Sequence, residues 1–318
     1  MGLRAFASLV NGDASLPSGV VTSGGDDYFI KLAGKVQPNI NGKLIKMDVE
    51  GKDFNLGGID SGGVVVDANK WTPIGNYSSD SKVYSGTFDG NGNEVSGLAI
   101  SNSSDYQGLF GCTSGATIKN LGVSGSVSGA SSVGGVVGAN DSGNITNCYS
   151  NCTVTGSGSA GGVVGWNNST IANCYNLGTV TDDSSDFTYI GGVVGYNLGS
   201  GEGNNGTVTN CYNTGSVSAR TPVGGVVGYN YSGTVSLCYY LSSSADYGVG
   251  GTTNTTGVMT DMKTATFAST LDQNAYNYNN PSGDGVSAPS VAACAWVDNS
   301  TSDYPTLNFG VEPTTPKD

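Results

Sequence analysis

The segment Val133-Gly-Gly-Val-Val-Gly-Ala-Asn140 returns three more times in the chain, and this repetition decides the fold. The other copies are Ala160 to Asn167, Ile190 to Asn197 and Val223 to Asn230, and a looser copy, Tyr106-Gln-Gly-Leu-Phe-Gly-Cys112, precedes them. Their equivalent glycines are Gly108, Gly135, Gly162, Gly192 and Gly225, which gives steps of 27, 27, 30 and 33 residues. Such a period is typical of a repeat protein, in which each unit packs on its neighbours. The two longer steps contain polar insertions at Asp182 to Tyr189 and Leu198 to Gly206, which we expect to be loops.

Two shorter blocks follow each copy of this segment. Ile145-Thr-Asn-Cys-Tyr149 is typical of the second block, and Thr153-Val-Thr155 is typical of the third. Three short β-type segments per repeat, joined by Gly or Asn, correspond to one coil of a β-helix. The sequence therefore predicts an all-β fold, a right-handed parallel β-helix (β-solenoid) with three short strands per coil and short helical caps. Its coils should stack about 4.8 Å apart.

The second block also predicts which side chains face the interior. Ile145 should face the core, and Asn147 should lie at a bend, where Asn tolerates the left-handed conformation. The next position should point inward again, and it is occupied by Leu121, Cys148, Cys174, Cys211 and Cys238 in successive copies. The exchange of Leu for Cys indicates that these cysteines act as small buried hydrophobes. A disulfide framework or a tetrahedral zinc site is therefore not expected.

The predicted solenoid is continuous and has three parts. Residues 1–105 form the N-terminal cap and irregular first coils, residues 106–240 the repeat coils, and residues 241–318 a C-terminal coil, cap and linker tail. Helical spacing of apolar residues predicts the caps near Leu3 to Val10 and near Met259 to Leu271. The Pro/Thr-rich end is typical of a linker, and the start lacks an export signal. We therefore expect an exported protein whose signal peptide is removed and which continues into a further domain or an anchor.

The charge distribution argues against two classes of partner. The net charge is −13, and the only Lys and Arg residues after residue 83 are Lys119, Arg220, Lys263 and Lys317. Such a surface cannot neutralise phosphates, so we expect binding neither to nucleic acids nor to anionic membranes. No apolar run approaches the roughly 20 residues that span a bilayer, so membrane insertion is not expected either.

The sequence contains few candidate catalytic residues. The chain contains no His, which removes Ser/His and Cys/His nucleophile pairs and zinc-peptidase motifs. β-Helix glycosidases need paired acids, for which the candidates are Asp26 with Asp27 and the group Asp182, Asp183 and Asp186. No Arg accompanies either group, so we interpret them as solvated loop charges and predict no catalytic residue, no metal and no cofactor. Calcium binding by the second group, or by the turn Asp89-Gly-Asn-Gly-Asn93, stays open.

A set of short motifs recurs in register along the chain. Gly108-Leu-Phe-Gly111 is followed by Gly-Gly-Val-Val-Gly-aromatic-Asn segments and by Asn-Cys-Tyr blocks, and Trp71-Thr-Pro-Ile-Gly75 and Gly86 to Leu98 precede them. Over residues 71–240 these motifs resemble the GLUG repeat of bacterial adhesin-like surface proteins and the segment that leads into it. Four of the five copies carry Gly-Val-Val-Gly where that family has Gly-Leu-Phe-Gly. The resemblance implies a surface-displayed β-helix with an interaction role, and it carries over no catalytic residue.

Two columns of aromatic residues are the candidate ligand-binding residues. The first column is Trp166, Tyr196 and Tyr229, and the second column is Tyr149, Tyr175, Tyr212 and Tyr239. The second column should point outward, because the neighbouring cysteines should point inward. Exposed aromatic rings beside amides suit sugar rings or protein partners. The alternative is a ladder of rings that only covers the sheet.

These patterns predict an extracellular or cell-surface, adhesin-like binding protein. It would display loops and aromatic columns on a β-helix and recognise a glycan or a surface or host protein, and as a fragment it should be a monomer. Two alternatives remain open, a structural stalk that spaces another domain from the surface and a carbohydrate-active β-helix enzyme. A smooth surface would favour the stalk, whereas paired acids or an arginine in a groove would favour the enzyme.

Overall fold

The computed structural model describes residues 71–250, with gaps at 72, 76, 78–82, 185–187, 200–204 and 221–222, together with shorter segments. These segments are residues 267–272, 296–297 and 304–307 and, for the backbone alone, residues 257–258 and the strands between residues 20 and 55. The strands are β1 (Val20–Ser23), β2 (Asp27–Leu32), β3 (Gly34–Gln37), β4 (Leu44–Asp48), β5 (Phe54–Asn55), β6 (Thr87–Ser101), β7 (Phe110–Gly129), β8 (Val133–Gly134), β9 (Val137–Gly156), β10 (Ser159–Gly161), β11 (Val164–Asn167), β12 (Thr170–Ala172), β13 (Tyr175–Asn176), β14 (Val180–Asp182), β15 (Tyr189–Gly191), β16 (Val194–Leu198), β17 (Thr207–Thr209), β18 (Tyr212–Asn213), β19 (Val217–Ser218), β20 (Val227–Tyr231), β21 (Thr234–Ser236), β22 (Tyr239–Tyr240), β23 (Gly257–Val258), β24 (Trp296–Val297) and β25 (Thr306–Leu307). One short helix, α1, spans residues 267–272 in this part of the chain. No helix of the described residues is long and apolar enough to cross a membrane.

The strands of the repeat region stack in parallel into a solenoid of about five turns. β7 pairs with β9 along nearly its whole length, from Phe110 opposite Val137 to Gly129 opposite Gly156. The later coils consist of shorter strands in the same register, so that Val164 lies between Val137 and Val194 of the adjacent coils. The predicted parallel β-helix is thus confirmed.

The structure divides the predicted blocks more finely than the sequence indicated. In the coil that begins at Ser159, the first block forms β10 and β11, the second forms β12 and β13, and the third forms β14. The second block bends at Asn173, between β12 and β13, where the residue has a φ of +53° in the left-handed region. Asn120, Asn147 and Asn210 adopt the same conformation at the equivalent position, as the sequence predicted.

The interior of the coils is a continuous column of small and branched apolar side chains. The residues that open the second block are buried, namely Ile118, Ile145, Ile171 and Val208. The next inward position holds Leu121, Cys148, Cys174, Cys211 and Cys238, all buried, and the four cysteines are free thiols. The predicted core role of these cysteines is therefore confirmed. Because the same positions recur, each coil covers the apolar face of its neighbour.

A ladder of amide hydrogen bonds joins the coils at the end of the first block. Asn140 donates from Nδ2 to Oδ1 of Asn167 at 2.9 Å, and Asn167 donates in the same way to Asn197 at 2.8 Å. Asn197 continues the ladder to Asn230 at 2.8 Å. Such a buried ladder fixes the register of the coils, because a shift of one residue would leave each amide without its partner.

The N-terminal strands include antiparallel pairs as well as strands β4 and β5, which pair in parallel with β6 as a coil would. β1 pairs antiparallel with β2, β2 with β3, and β3 with β4. The pairing becomes parallel at β4, where Leu44 lies opposite Thr87 of β6. An antiparallel meander therefore precedes the first coil. The predicted helical cap at Leu3 to Val10 lies outside the described residues, whereas α1 lies within the region predicted for the second cap.

The two predicted insertions begin and end in strands. Asp182 ends β14 and Tyr189 begins β15, with residues 185–187 outside the described part. Leu198 was assigned to the second loop, but it ends β16 and pairs with Tyr231. Gly199 then forms an antiparallel bridge with Asn205, so this insertion leaves the coil one residue later than the sequence indicated.

Candidate functional site

Two of the four rings of the second aromatic column are buried, which corrects the prediction that the whole column is exposed. Its members are Tyr149, Tyr175, Tyr212 and Tyr239, which are in register from coil to coil. Tyr175 stacks on Tyr149 at 5.0 Å and on Tyr212 at 4.9 Å between ring centroids. Tyr175 and Tyr212 are nevertheless buried, because a C-terminal cover packs over them. The cover consists of Phe267, Leu271, Trp296 and Leu307.

Specific contacts hold this C-terminal cover against the tyrosines. The ring of Trp296 lies 5.8 Å from that of Tyr175 and 5.6 Å from that of Tyr212. The hydroxyl of Tyr212 donates to the backbone carbonyl of Pro305 at 2.5 Å, and burial raises the pKa of this hydroxyl well above its ordinary value. The rings point away from the coil interior, as predicted, but Tyr175 and Tyr212 meet protein there and not solvent. The column therefore joins the cover to the solenoid.

The first aromatic column does reach the surface. Trp166, Tyr196 and Tyr229 lie in register on successive coils, and each is half-buried. Tyr189 packs between two of them, 5.2 Å from Tyr196 and 5.0 Å from Tyr229 between ring centroids. Burial, reinforced by the neighbouring tyrosines, raises the pKa of Tyr196. Its hydroxyl therefore stays protonated at neutral pH and can donate a hydrogen bond.

An aromatic cleft of about 440 Å³ opens beside this column. Trp166, Tyr189 and Tyr196 line it on the side of the later coils, and Tyr77 and Tyr106 line it on the side of the earlier coils. Tyr77 and Tyr106 pack on each other at 5.3 Å between ring centroids, and Tyr77 is 58% exposed. A cleft of this size with several aromatic rings in its lining has the properties of a ligand site.

The cleft exists because one repeat position changes from small to large along the solenoid. Cys112 lies opposite Ala139 in the adjacent coil, and Ala139 lies opposite Trp166 in the next coil. Tyr196 and Tyr229 continue the same position beyond Trp166. The step from Ala139 to Trp166 therefore forms one edge of the cleft.

A second repeat position shows the same change of size. It is occupied by Tyr106, Ser132, Ser159 and Tyr189 on four successive coils. Two large rings thus flank two small hydroxyl residues. The coil that carries both Ser132 and Ala139 has small residues at both positions, so it forms the floor of the cleft.

The polar groups of the cleft are hydroxyls and one carboxylate. Ser131, Ser132, Ser159 and Asp141 line it, and none of the described lining residues is Lys or Arg. Cys112 also lines the floor, but burial raises the pKa of its thiol to about 12, with Asp141 acting in the same direction. This thiol is therefore not ionised at neutral pH and is not an activated nucleophile.

The backbone beside the cleft is strained at two positions. Tyr106 has a φ of +59° and Ser132 a φ of +58°. A bulky residue in this region is rare, because the left-handed conformation costs about 1–2 kcal/mol. Hydrogen bonds hold the segment in place, since the amide of Tyr106 donates to the carbonyl of Ser131 at 2.9 Å. The amide of Ser131 in turn donates to Oδ1 of Asp105 at 3.0 Å.

The Asp89 turn, one of the two candidate calcium sites, is a structural element. Asp89 is buried, and its Oδ1 accepts hydrogen bonds from the amide of Asn91 at 2.9 Å and from Nδ2 of Asn120 at 3.1 Å. Its Oδ2 lies 3.4 Å from Nζ of Lys119. Because both carboxylate oxygens already have partners, the turn has no free ligand set for a cation.

The remaining acids form no site in the described part of the chain. Asp182 accepts a hydrogen bond from the hydroxyl of Thr188 at 3.2 Å, and Asp183 is exposed. Asp26 and Asp186 lie outside the described residues, and only the backbone of Asp27 is described. Within the described residues, no group of three or more His, Cys, Asp or Glu side chains could hold a metal ion.

Only part of the cleft was predicted from the repeats. Trp166 and Tyr196 were candidates, whereas Tyr77 and Tyr189 lie outside the three repeated blocks and Tyr106 was seen only as the first residue of the looser copy. A signal for two of these tyrosines was present. Tyr106 and Tyr189 share the repeat position that Ser132 and Ser159 occupy on the two coils between them.

Comparisons with known proteins agree with the repeat architecture. A family model described as the GLUG motif matches residues 129–157, 156–181 and 188–218, which confirms the resemblance seen in the sequence. The chain is similar to the crystal structure of "a putative immunoglobulin A1 protease" from Bacteroides ovatus, with a TM-score of 0.55 and 22% sequence identity. The similarity covers 85% of this chain and 87% of that chain, and at this identity it concerns the fold alone. No curated protein matches the chain. Residues 129–181 and 188–218 therefore carry the GLUG motif, and they lie within the parallel coils of the solenoid.

Proposed function

We propose that this chain is a non-catalytic, ligand-binding module of an exported, adhesin-like surface protein, and that the aromatic cleft is its binding site. The observation that carries the proposal is the cleft itself, a concave surface with aromatic rings from several coils on both sides. Exposed aromatic rings around a concave surface are typical of recognition sites, because each ring buries a large area at a small cost in conformational entropy.

The chemistry of the cleft supports binding in preference to catalysis. Hydrolysis of a glycosidic bond needs two carboxyl groups on opposite sides of the scissile bond. Among the described lining residues, Asp141 is the single carboxylate, and no described lining residue is a cation that could stabilise a developing anion. The protein from Bacteroides ovatus is named "a putative immunoglobulin A1 protease", and at 22% identity this name concerns that protein alone.

A structural stalk is the second candidate function, and the amide ladder favours it. Consecutive hydrogen bonds of 2.8 to 2.9 Å from Asn140 to Asn230 tie the coils into a rigid rod. A rigid rod can space another domain from a surface without binding a ligand itself. The two functions are compatible, so the test must ask whether the cleft binds anything.

Binding can be tested on an array of glycans and host proteins with the purified chain. Changing Trp166, Tyr196 and Tyr229 together to Ala should abolish capture of the ligands bound by the parent and leave the far-UV circular dichroism unchanged. The matched control is Tyr247→Ala, which removes an exposed aromatic ring (44% exposed) that does not line the cleft. Equal capture by the triple variant would exclude the cleft as the site. Absence of capture by the parent would leave the stalk as the function.

A further inference from the structure

We propose that the ligand of the aromatic cleft is an uncharged sugar chain, one ring of which enters the hollow above Ala139 between Tyr106 and Trp166. This inference rests on the proposed function and names the ligand class and the residues that select it. It follows from the shape of the hollow, from its charge and from the kind of polar groups at its floor.

The shape of the hollow fits one flat ring between two walls. Ala139 and Ser132 are both small and belong to the same coil, whereas Tyr106 lies on the coil before it and Trp166 on the coil after it. Adjacent coils are about 4.8 Å apart, so Tyr106, at the repeat position of Ser132, and Trp166, at that of Ala139, are about two coil spacings apart along the solenoid axis. A ring inserted there can contact an aromatic face on each side. A flat aromatic surface, by contrast, would contact the ligand on one side only.

The charge of the cleft selects against anionic ligands. Asp141 lines it, and the exposed Asp105 lies directly before the wall residue Tyr106. None of the described lining residues carries a positive charge, and the whole chain has a net charge of −13. A uronate, sialate or phosphate group would therefore enter a negative potential without a partner for its own charge. A neutral sugar avoids that cost.

The polar groups at the floor match sugar hydroxyls. Ser131, Ser132 and Ser159 can each donate one hydrogen bond and accept others, and the carboxylate of Asp141 accepts only. Sugar hydroxyls also donate and accept, so they can satisfy both kinds of group. A ligand composed of apolar side chains would leave these groups unsatisfied when it displaced water from them, which costs free energy for each one.

The direct test is to fill the hollow with a residue that the same repeat position already accepts. Ala139→Trp places an indole ring where the next coil carries Trp166, so the backbone should tolerate it. Calorimetric titration would use neutral hexasaccharides of cellulose, xylan, mannan, laminarin and starch, with galacturonate and hyaluronan oligomers as anionic probes. The parent should bind at least one neutral hexasaccharide and neither anionic probe. Ala139→Trp should bind that hexasaccharide at least ten-fold more weakly. Tyr247→Trp, which adds a tryptophan outside the cleft, should bind it like the parent.

A second variant keeps the test decisive if Ala139→Trp does not fold. Tyr106→Ala removes the opposite wall and should also weaken binding at least ten-fold. Unchanged affinity of a folded Ala139→Trp protein would overturn the inference, and so would stronger binding of an anionic probe or no binding of any neutral hexasaccharide. Capture of a protein on the array, lost in the triple variant, with no oligosaccharide binding would overturn the sugar assignment but leave the proposed function standing.

Discussion

Leu237 occupies, in the last repeat coil, the left-handed position that Asn210 occupies one coil earlier. The two residues follow the paired Thr209 and Ser236, and their φ angles are +50° for Asn210 and +52° for Leu237. Asn210 donates from Nδ2 to Oδ1 of Asn173 at 2.7 Å, as Asn147 donates to Asn120 at 3.2 Å. Its own Oδ1 is buried and accepts no hydrogen bond from the described residues. Leu237, at the equivalent position of the next coil, has no amide to donate to it.

Replacing Leu237 by Asn should therefore stabilise the protein. Asn adopts the left-handed conformation with less strain than Leu, and its Nδ2 would be placed to donate to the unsatisfied Oδ1 of Asn210. Leu237 is 46% exposed, so little buried apolar area is lost. We expect the free energy of unfolding to rise by about 1–3 kcal/mol, measured by denaturant unfolding. Leu237→Ala, which keeps a Cβ atom and adds no donor, is the control and should give no such gain. An Asn variant less stable than the parent would contradict this account.

The sequence could predict the coil but not what packs against it. The first block and the positions of Asn147 and Cys148 depend on contacts with the adjacent coils. Because those coils repeat the same residues, the repetition in the sequence was enough to predict them. The burial of Tyr175 depends on Trp296, which lies outside the repeats, and no local pattern reveals such a contact. The cleft was likewise only partly predictable, because it arises where the small residues Cys112 and Ala139 precede the aromatic column, and attention to the repeated rings overlooks small residues at the same position.

The buried cysteines should be unreactive in the folded protein. The six cysteines of the described residues are free and buried, and Cys294 lies outside those residues. Thiol titration of the native protein should therefore label at most one cysteine per chain, whereas the denatured protein should label all seven. Cys294→Ser is the control that should bring native labelling to zero. Prompt native labelling of Cys148, Cys174, Cys211 or Cys238 would show that the core column is open to solvent.

Replacing one buried cysteine of the core column by serine should lower the free energy of unfolding. Cys174→Ser replaces a thiol in the apolar interior by a hydroxyl, and we expect a loss of about 1–3 kcal/mol in unfolding free energy, measured by denaturant unfolding. The comparison change Asn144→Ser introduces the same residue at an exposed position, directly before Ile145, and should cost far less. Equal losses for the two variants would mean that burial of the thiol does not determine the effect.

Stability should fall at alkaline pH because of the buried thiols. Burial raises the pKa of Cys152 to about 12, whereas a thiol in the unfolded chain ionises near pH 8.5. Between these values the unfolded state loses a proton that the folded state keeps, so the free energy of unfolding decreases as pH rises, by about 1.4 kcal/mol per pH unit for each such thiol. The contribution is fully present below about pH 8.5. In Cys152→Ala, the slope of unfolding free energy against pH above about pH 9 should be smaller by that amount. Parallel slopes for parent and variant would contradict the assignment.

The C-terminal cover should detach without unfolding the solenoid. Trp296 packs on Tyr175 and Tyr212, and its amide donates to Oδ1 of Asp272 at 2.7 Å, so it joins α1, the strand β24 and the tyrosine column. The coils are held separately by their own backbone ladder. In Trp296→Ala, which should cost about 3–5 kcal/mol locally, the amides of residues 267–272 should exchange with deuterium much faster than in the parent. The amides of β11 should keep their protection. Tyr212→Phe, which loses only the hydrogen bond to Pro305, should give the same pattern with a smaller effect of about 1 kcal/mol. Equal acceleration of exchange in β11 and in residues 267–272 would instead show that the cover and the coils unfold as one cooperative unit.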